Sequence, residues 1–202
     1  MKRTIAIAAL CAGIMLTTFP CQAKESGNVK INSKNFPDTI VREYVSEKID
    51  KNNDGYLSKK EISAVKTIII DKNNLYWENK DKPKEDYEII DCKGLEIFTN
   101  VEKVKLTTYC DTYVSEYGNI KNIKVLTKLT NIKNLEISGV NNSNYDFTKL
   151  NNLERLCIKS TKLKKLNLSK NVKLKNLKLA YNPLLKKINL TKNKNLEKIN
   201  LY

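Results

Sequence analysis

Between positions 50 and 61 the chain places oxygen-bearing residues at the spacing that a hard divalent cation requires. The segment reads DKNNDGYLSKKE, and Gly55 at its sixth position permits the sharp turn that folds such a loop around an ion. The predicted ligands are the side-chain oxygens of Asp50, Asn52, Asp54, Ser58 and Glu61 and the backbone carbonyl of Tyr56. Ser58 would act directly or through a water molecule. The pattern predicts one calcium site, the alternative being a polar turn that holds no metal.

Helices are expected on both sides of this loop. Pro37 suits the first turn of a preceding helix, and the apolar face of that helix would consist of Val41, Tyr44, Val45 and Ile49. Ser58 can cap a short helix after the loop. We therefore predict an EF-hand-like helix–loop–helix, with no second loop of the same kind elsewhere in the sequence.

The second half of the chain is repetitive. The pattern L-x-x-L-x-L occurs four times at separations of 21, 21 and 22 residues, and its last two apolar residues alternate as in a β-strand. The four copies are Ile132, Leu135, Ile137; Leu153, Leu156, Ile158; Leu174, Leu177, Leu179; and Leu196, Ile199, Leu201. One short strand cannot bury its apolar edge, but stacked copies form a continuous core. The repeats therefore predict a solenoid.

A finer repeat of about 11 residues begins at residue 163. Halfway through two successive coils lie the triplets Leu163, Leu166, Leu168 and Leu185, Ile188, Leu190. Two strands per coil would build two walls. The half-repeats end at Asn171, Asn182 and Asn193, where a side-chain amide can satisfy backbone groups at a corner. An amphipathic helix would instead need a period near 3.6 residues, and Pro183 opposes it.

A less regular pair of repeats precedes these. Seven positions from Ile89 to Leu106 match seven from Ile120 to Ile137 at an offset of 31. Apolar residues at every third position predict a short 3₁₀ turn on the outer wall. Cys92 stands where its counterpart is Ile123, which predicts a buried small hydrophobic residue and not a reactive thiol.

These rows resemble the leucine-rich repeats of bacterial surface and secreted proteins, of which the internalins are the best-known members. The L-x-x-L-x-L rows cover most of residues 89–202. The resemblance implies a horseshoe or ribbon with a parallel sheet on one wall, used to recognise proteins or glycans. It also implies an N-terminal helical cap related to an EF-hand, which covers the first coil, so that Val65, Ile68 and Ile70 would begin the sheet.

The expected fold class is therefore α+β. A leucine-rich-repeat solenoid, mostly β with short 3₁₀ or helical outer turns, would span residues 65–202. A small helical EF-hand-like cap would occupy residues 24–64. Insertions into the solenoid are expected near residues 71–88 and 107–119.

Residues 1–23 have the features of a secretory signal peptide. Lys2 and Arg3 precede the apolar stretch of residues 5–16, which is shorter than the roughly 20 residues that a membrane-spanning helix needs. Residues 21–23 offer a cleavage site. We expect a secreted or cell-surface protein with no transmembrane segment and no covalent anchor motif.

The composition argues against catalysis. The chain contains no histidine, which excludes Ser–His–Asp and Cys–His arrangements and His-based metal sites. Cys92, Cys110 and Cys157 remain after residue 23; their odd number argues against a disulfide framework, although one bridge stays open. We predict a non-enzymatic module that binds a protein or glycan and no nucleic acid. The alternatives are a charge-bound structural component of the cell envelope and a truncated fragment of a larger adhesin.

The formal net charge is +15, and residues 151–202 contain only two acids, Glu154 and Glu197. Two pairs of lysines lie 22 residues apart, so stacked coils would align them in columns of like charge: Lys164 with Lys186, and Lys165 with Lys187. Such columns favour an anionic glycan or cell-envelope polymer as the partner. The alternative is a solvated lysine-rich wall.

Two further sites of interaction are expected. Tyr76 and Trp77 lie in the loop between residues 72 and 86, where they could contact a ligand or pack against the cap. The last strand, residues 198–201, has nothing after it in the sequence to cover its outer edge. We expect it to fray or to support self-association through the C-terminal coil.

Overall fold

The computed structural model describes residues 27–72, 89–108, 110–111, 116–117, 119–140 and 144–202. The predicted signal peptide, Tyr76, Trp77 and parts of both insertions lie outside the described residues. Within the described ranges, no helix combines the length and the apolar composition needed to cross a membrane.

The N-terminal part contains two short helices and one small ribbon. Strand β1 (Val29–Lys30) pairs antiparallel with strand β2 (Tyr56–Leu57). Between them, helix α1 (Thr39–Tyr44) continues into a π-helical turn (Val45–Ile49). Helix α2 (Lys59–Ala64) follows β2.

Helix α1 begins later than Pro37 predicted. Its N-cap is Asp38, whose carboxylate accepts a hydrogen bond of 2.9 Å from the amide of Val41, so Pro37 lies just outside the helix. The predicted apolar face is confirmed at Val41, Val45 and Ile49, which are all buried.

The remaining strands build the solenoid. They are β3 (Thr67–Asp71), β4 (Ile89–Asp91), β5 (Lys103–Thr107), β6 (Cys110–Asp111), β7 (Glu116–Tyr117), β8 (Asn119–Lys121), β9 (Asn134–Val140), β10 (Asn144–Asp146), β11 (Arg155–Thr161), β12 (Lys165–Asn167), β13 (Asn176–Ala180) and β14 (Lys198–Leu201). Two 3₁₀ helices, Leu95–Ile97 and Ile123–Lys128, lie where the three-residue spacing predicted them. Strands β6 and β7 form an antiparallel ribbon within the second insertion.

Six parallel strands form the main wall, in the order β14, β13, β11, β9, β5 and β3. Asn134, Arg155, Asn176 and Lys198 are successive partners along it, which confirms the predicted separations of 21, 21 and 22 residues. Strand β3 begins the wall at Thr67 and buries Ile68 and Ile70. The 2.0-residue period of a strand keeps one side of each strand in the core.

The second wall is less continuous than predicted. Strand β10 pairs with β12 and β4 pairs with β8, both in parallel, but the coil that follows β12 contributes only a single bridge, Asn167 to Asn189. Its apolar residues Leu185, Ile188 and Leu190 are only partly buried. A coil covered on one side gains less from forming a strand there.

One predicted register is wrong by a residue. Ile120 pairs with Ile90 and not with Ile89, so the offset between β4 and β8 is 30, whereas the main wall keeps 31 between β5 and β9. Asn122, with φ of +53°, lies directly after β8. Its left-handed conformation accommodates the extra residue before the 3₁₀ helix.

Asparagine side chains connect successive coils inside the corner. Asn171 donates through Nδ2 to the carbonyls of Phe147 and Leu150 at 2.9 and 2.8 Å. Asn193 donates in the same way to the carbonyls of Leu168 and Asn171, both at 2.9 Å. Both side chains are buried. The predicted role of these residues at the corners is therefore confirmed.

Candidate calcium loop and ligand-binding faces

The loop after the π-helical turn is ordered by its own side chains. Asp50 Oδ2 accepts a hydrogen bond from the amide of Gly55 at 3.0 Å, and Asp54 Oδ1 accepts one from the amide of Tyr56 at 2.8 Å. Asn52 Oδ1 accepts from the amide of Asp54 at 3.3 Å. Gly55 has φ of +77°, the left-handed conformation that the sixth position of such a loop requires.

Glu61 reaches from helix α2 back across the loop. Its Oε1 accepts a hydrogen bond from the amide of Lys51 at 2.8 Å, and its Oε2 accepts from the amide and the hydroxyl of Ser58 at 2.8 and 2.7 Å. Ser58 in turn accepts from the amide of Glu61, which completes a capping box. Partial burial acts to raise the pKa of Glu61, but these hydrogen bonds together lower it below the ordinary value.

The strand pair β1–β2 anchors the end of the loop. Val29 pairs with Leu57, and the amide of Ile31 donates to the carbonyl of Gly55 at 2.9 Å. Leu57 is fully buried. The loop is therefore held between helix α1, helix α2 and the N-terminal segment.

One atom in this loop lacks a hydrogen-bond partner. Asp50 is 3% exposed, and its Oδ1 is buried with no donor in reach among the described residues. Burying an unsatisfied carboxylate oxygen is costly, and a cation would satisfy it. The oxygen donors of the loop are of the type that calcium prefers. The described residues nevertheless contain no group of three or more acidic or cysteine side chains that could hold a metal ion.

The outer face of the main wall presents polar side chains in rows that cross the strands. Lys105 Nζ lies 2.6 Å from a carboxylate oxygen of Asp71, and Lys159 Nζ lies 2.8 Å from one of Glu136. Each pair joins neighbouring strands of the sheet. Cys157 lies in the same region, half-buried and not in a disulfide. Burial raises the pKa of its thiol, which keeps it protonated at neutral pH.

Cys92 is also free of any disulfide and is fully buried. Burial raises the pKa of its thiol. Its interpretation as a small core residue is confirmed, while the side chain of Cys110 lies outside the described part of the chain.

The four lysines predicted to form columns are all exposed. The bridge between Asn167 and Asn189 fixes an offset of 22 residues, which places Lys187 next to Lys165 in the following coil and Lys186 next to Lys164. None of the four forms an ion pair with a described residue. They lie on the second wall, away from the six-stranded sheet.

The structure contains a further charge pattern that was not predicted from the sequence. The residue directly before each strand of the main wall is alternately basic and acidic, and we call this row the charge ladder: Lys66, Glu102, Lys133, Glu154, Lys175 and Glu197. Glu102 lies 3.8 Å from Lys66 and 2.8 Å from Lys133, and Glu154 lies 3.7 Å from Lys175. The signal was present in the sequence, but only the strand boundaries reveal it.

The fold is similar to that of known structures. No protein-family model matches the chain, and no curated protein matches it in sequence. The structure is similar to an internalin (InlF) from Listeria monocytogenes, with a TM-score of 0.63 and 17% identity over 85% of this chain and 46% of that one. Matches to internalin C2, with 17% identity over 86% and 87% of the two chains, and to the functional domain of InlJ, with 15% identity over 89% and 48%, both from the same organism, have TM-scores of 0.41 and 0.38, which are too low to carry an argument.

At this level of identity the similarity concerns the fold alone. The chain spans less than half the length of the InlF structure. The parallel main wall and its repeat separations agree with that similarity. The chain therefore has an internalin-like leucine-rich-repeat fold.

Proposed function

We propose that this protein is a secreted or surface-associated binding module that recognises a protein or glycan through the outer face of its main wall. A structural calcium ion in the loop of Asp50 and Glu61 would stabilise its N-terminal cap. The observation that supports this proposal is that the inner side chains of strands β3, β5, β9, β11 and β13 are buried, while the outer face of the sheet is mostly polar, with Ile69 as an exposed apolar residue. A surface of this kind offers hydrogen bonds and charges on a rigid support.

The ion pairs across the strands strengthen the case. Lys105 is held by Asp71 and Lys159 by Glu136 at distances below 3 Å. Side chains already fixed in the free protein lose less conformational entropy when a ligand binds. The outer face thus has charges of both signs in defined positions, which favours a ligand with a mixed pattern of donors and acceptors.

Two basic residues of this face allow a direct test: Arg155, which is exposed, and Lys178, which is half-buried. Arg155 and Lys178 lie on neighbouring strands, and their replacement by glutamate should weaken binding of the labelled protein to cultured cells by tenfold or more. Protease or glycosidase treatment of the cells would show whether the ligand is a protein or a glycan. The matched control replaces Lys164 and Lys165 by glutamate, with the same change in charge on the second wall. Equal loss of binding in both variants would contradict recognition by the sheet.

A second function, charge-dependent attachment to an anionic envelope polymer, is favoured by the aligned lysines of the second wall. Lys164, Lys165, Lys186 and Lys187 are exposed, and they have no acidic partner among the described residues. Binding to lipoteichoic acid should fall steeply as salt is raised, because exposed charges are screened within about 8 Å at physiological ionic strength. Replacing the four lysines by glutamine should abolish most of this binding, whereas the Arg155 and Lys178 variant should retain it. Salt-independent binding would contradict this function.

A further inference from the structure

We propose that the ligand of the main wall is a linear acidic polysaccharide that lies across the strands and carries one negative charge per disaccharide. This inference rests on the proposed function, since it names the class of ligand for the same outer face. The binding residues are the first residues of the strands of the main wall. We call this line the cation row: Thr67, Lys103, Asn134, Arg155, Asn176 and Lys198.

The positive charges of the cation row are regularly spaced. Lys103 and Arg155 are both register partners of Asn134, so one strand lies between them. Lys198 stands two strands beyond Arg155 in the same line. Because neighbouring strands are about 4.8 Å apart, the backbones that carry successive cations are about 9–10 Å apart. A linear polysaccharide in which an acidic and a neutral sugar alternate repeats its charge over a similar distance.

The cations of the row are not neutralised by nearby acids. Lys103 and Arg155 are exposed, and neither forms an ion pair with a described residue. Glu102 and Glu154 precede them in the chain, but these acids pair with lysines of the charge ladder at distances between 2.8 and 3.8 Å. The charge ladder therefore balances its own charges, and the cation row keeps a positive charge that an anionic ligand can neutralise.

The residues between the cations have side-chain amides. Asn134 and Asn176 are half-buried, and neither carboxamide makes a hydrogen bond with a described residue. A carboxamide supplies both donors and an acceptor, and a sugar hydroxyl can likewise both donate and accept. In the proposed complex a neutral sugar lies over each asparagine, and each acidic sugar lies beside a cation.

The composition of the outer face favours a polysaccharide over a protein. The outward positions of the described strands β3, β5, β9, β11 and β13 contain no aromatic residue. Among the described side chains at these positions, only Ile69 is a large exposed hydrophobic residue. Protein interfaces depend on buried aromatic and apolar anchors, and the cation row offers charges and amides instead. An acidic protein partner thus becomes an outcome of the test.

Titration of the full chain with a hyaluronan decasaccharide tests the role of charge. Hyaluronan has one carboxylate per disaccharide, and reduction of its carboxyls to alcohols gives a neutral control of the same length. We expect the acidic form to bind about four- to twentyfold more tightly in isothermal titration calorimetry, because each of two exposed charge pairs contributes about two- to fivefold. Equal binding of the two forms, or no measurable binding of hyaluronan, overturns the proposal.

An oligogalacturonate of the same length tests the spacing, because it has a carboxylate on every sugar. The protein has a net charge of +15, so non-specific attraction would favour this more densely charged chain. We expect hyaluronan to bind at least as tightly, since its charges coincide with the cations of the row. Tighter binding of the oligogalacturonate would mean that total charge selects the ligand, which overturns the proposal.

A pair of substitutions tests whether the cation row is the site. Lys103→Gln together with Arg155→Gln should reduce the preference for the acidic form to less than about twofold. The matched control, Lys164→Gln together with Lys165→Gln, removes the same charge from the second wall and should leave the preference unchanged. An equal reduction in both variants overturns the assignment to the main wall.

The two asparagines should affect binding in a different way. Asn134→Ala together with Asn176→Ala removes hydrogen bonds to neutral sugars, so both forms of the decasaccharide should bind about fivefold more weakly. The preference for the acidic form should persist, because the cations remain. A loss of that preference would contradict the proposed division of roles along the row.

Binding to cells separates this inference from the proposed function. If the variant with glutamate at Arg155 and Lys178 loses cell binding although hyaluronan does not bind the unaltered chain, the outer face recognises another class of ligand. A decamer of glutamate that binds more tightly than hyaluronan would identify that class as an acidic protein and overturn the proposal. The proposed function itself fails only if substitutions on the outer face leave cell binding unchanged.

Discussion

The two edge strands of the main wall, β3 and β14, differ in whether their outward-directed backbone groups have hydrogen-bond partners among the described residues. At β3, the hydroxyl of Tyr44 donates to the carbonyl of Thr67 and accepts from the amide of Ile69, both at 3.3 Å. These are the outward-directed groups of the strand, since β5 pairs with the other side. At β14 the corresponding groups of Ile199 and Leu201 have no such partner among the described residues. One phenol thus closes an edge that would otherwise accept another strand.

A buried carboxylate also attaches the N-terminal helix to the β3 end of the main wall. Asp38 caps helix α1, accepts a hydrogen bond of 2.9 Å from the amide of Asp91, and lies 3.4 Å from Lys72 Nζ. Both charged side chains are less than 10% exposed. The same group therefore joins the cap, the residue that follows β3 and the second wall. The comparison shows that the cap protects the N-terminal edge through a few polar contacts and not through apolar cover alone.

The largest expected effect on stability comes from removing the carboxylate of Asp38. Asp38→Ala removes the N-cap, the hydrogen bond to the amide of Asp91 and the buried ion pair with Lys72, so we expect the free energy of unfolding to fall by about 3–5 kcal/mol. Urea denaturation measures it. Glu47→Ala, at an exposed position of the same cap, is the control and should change stability by less than about 0.5 kcal/mol. A loss below about 1 kcal/mol in Asp38→Ala would show that the cap is attached mainly by apolar packing.

In the coils next to β14, the buried asparagine side chains make the corresponding polar contacts. Asn193→Ala would remove two hydrogen bonds to the carbonyls of Leu168 and Asn171, each of which would keep only its backbone amide donor, and this should cost about 1–3 kcal/mol. Hydrogen exchange should show the loss concentrated in β13 and β14. Asn195→Ala is the control, because Asn195 is exposed and donates only to the carbonyl of Val172. Equal effects of the two substitutions would mean that burial of the amide has no special role.

Calcium should stabilise the N-terminal cap and not the coils next to β14. For a dissociation constant on the order of 0.1–1 mM, as in extracellular modules, 10 mM calcium would add about 1.4–2.7 kcal/mol through linkage. The melting temperature should rise, and exchange should slow in the cap but not in β14. Glu61→Gln retains the shape of the capping residue and should abolish the rise. An unchanged melting curve in calcium would refute the site.

The hydroxyl of Tyr44 should contribute less. Tyr44→Phe keeps the ring and removes both hydrogen bonds to β3, so the expected loss is about 1 kcal/mol. The amide of Ile69 should exchange faster with solvent. Tyr181→Phe, at a position 63% exposed, is the matched control. Unchanged protection at Ile69 would show that the edge is closed by some other contact.

The smallest effect is a dependence on pH. Hydrogen bonds hold the pKa of Glu61 below its ordinary value of 4.5. A carboxylate whose pKa is lowered on folding stabilises the folded state at any pH above its ordinary, unfolded-state pKa. The stabilisation is lost as pH falls through the lower pKa of the folded state. Unfolding measured between pH 6 and pH 3 should therefore show a smaller loss of stability in Glu61→Gln than in the unaltered chain. Parallel curves would contradict the role of these hydrogen bonds.

The strands of the main wall were predictable from the sequence, because Leu135, Leu156 and Leu177 share one buried position in each coil and burial enforces that period. The first residue of a helix and the register of the second wall were harder to predict. Pro37 and Asp38 are both compatible with the start of a helix, and only the hydrogen bond to Val41 decides between them. The one-residue shift at Asn122 depends on a positive φ that its side chain permits but does not require.

The candidate calcium loop also has features that the sequence predicts and features that it does not. The donor positions of the loop follow from spacing, and the bonds of Glu61 to Lys51 and Ser58 do not, because several amides compete for the same carboxylate. The charge ladder was invisible for a different reason. Its members are 36, 31, 21, 21 and 22 residues apart, so no fixed period relates them until the strands are known.

The alternation of the ladder constrains how such a chain can lengthen during evolution. Each inner charge of the ladder has neighbours of opposite sign in the coils on either side, so duplication of one coil would place two like charges side by side, about 4.8 Å apart. Duplication of two consecutive coils keeps the alternation intact. Units of two coils, such as residues 133–174 with Lys133 and Glu154, are therefore the increments by which this solenoid can grow or shrink without electrostatic conflict.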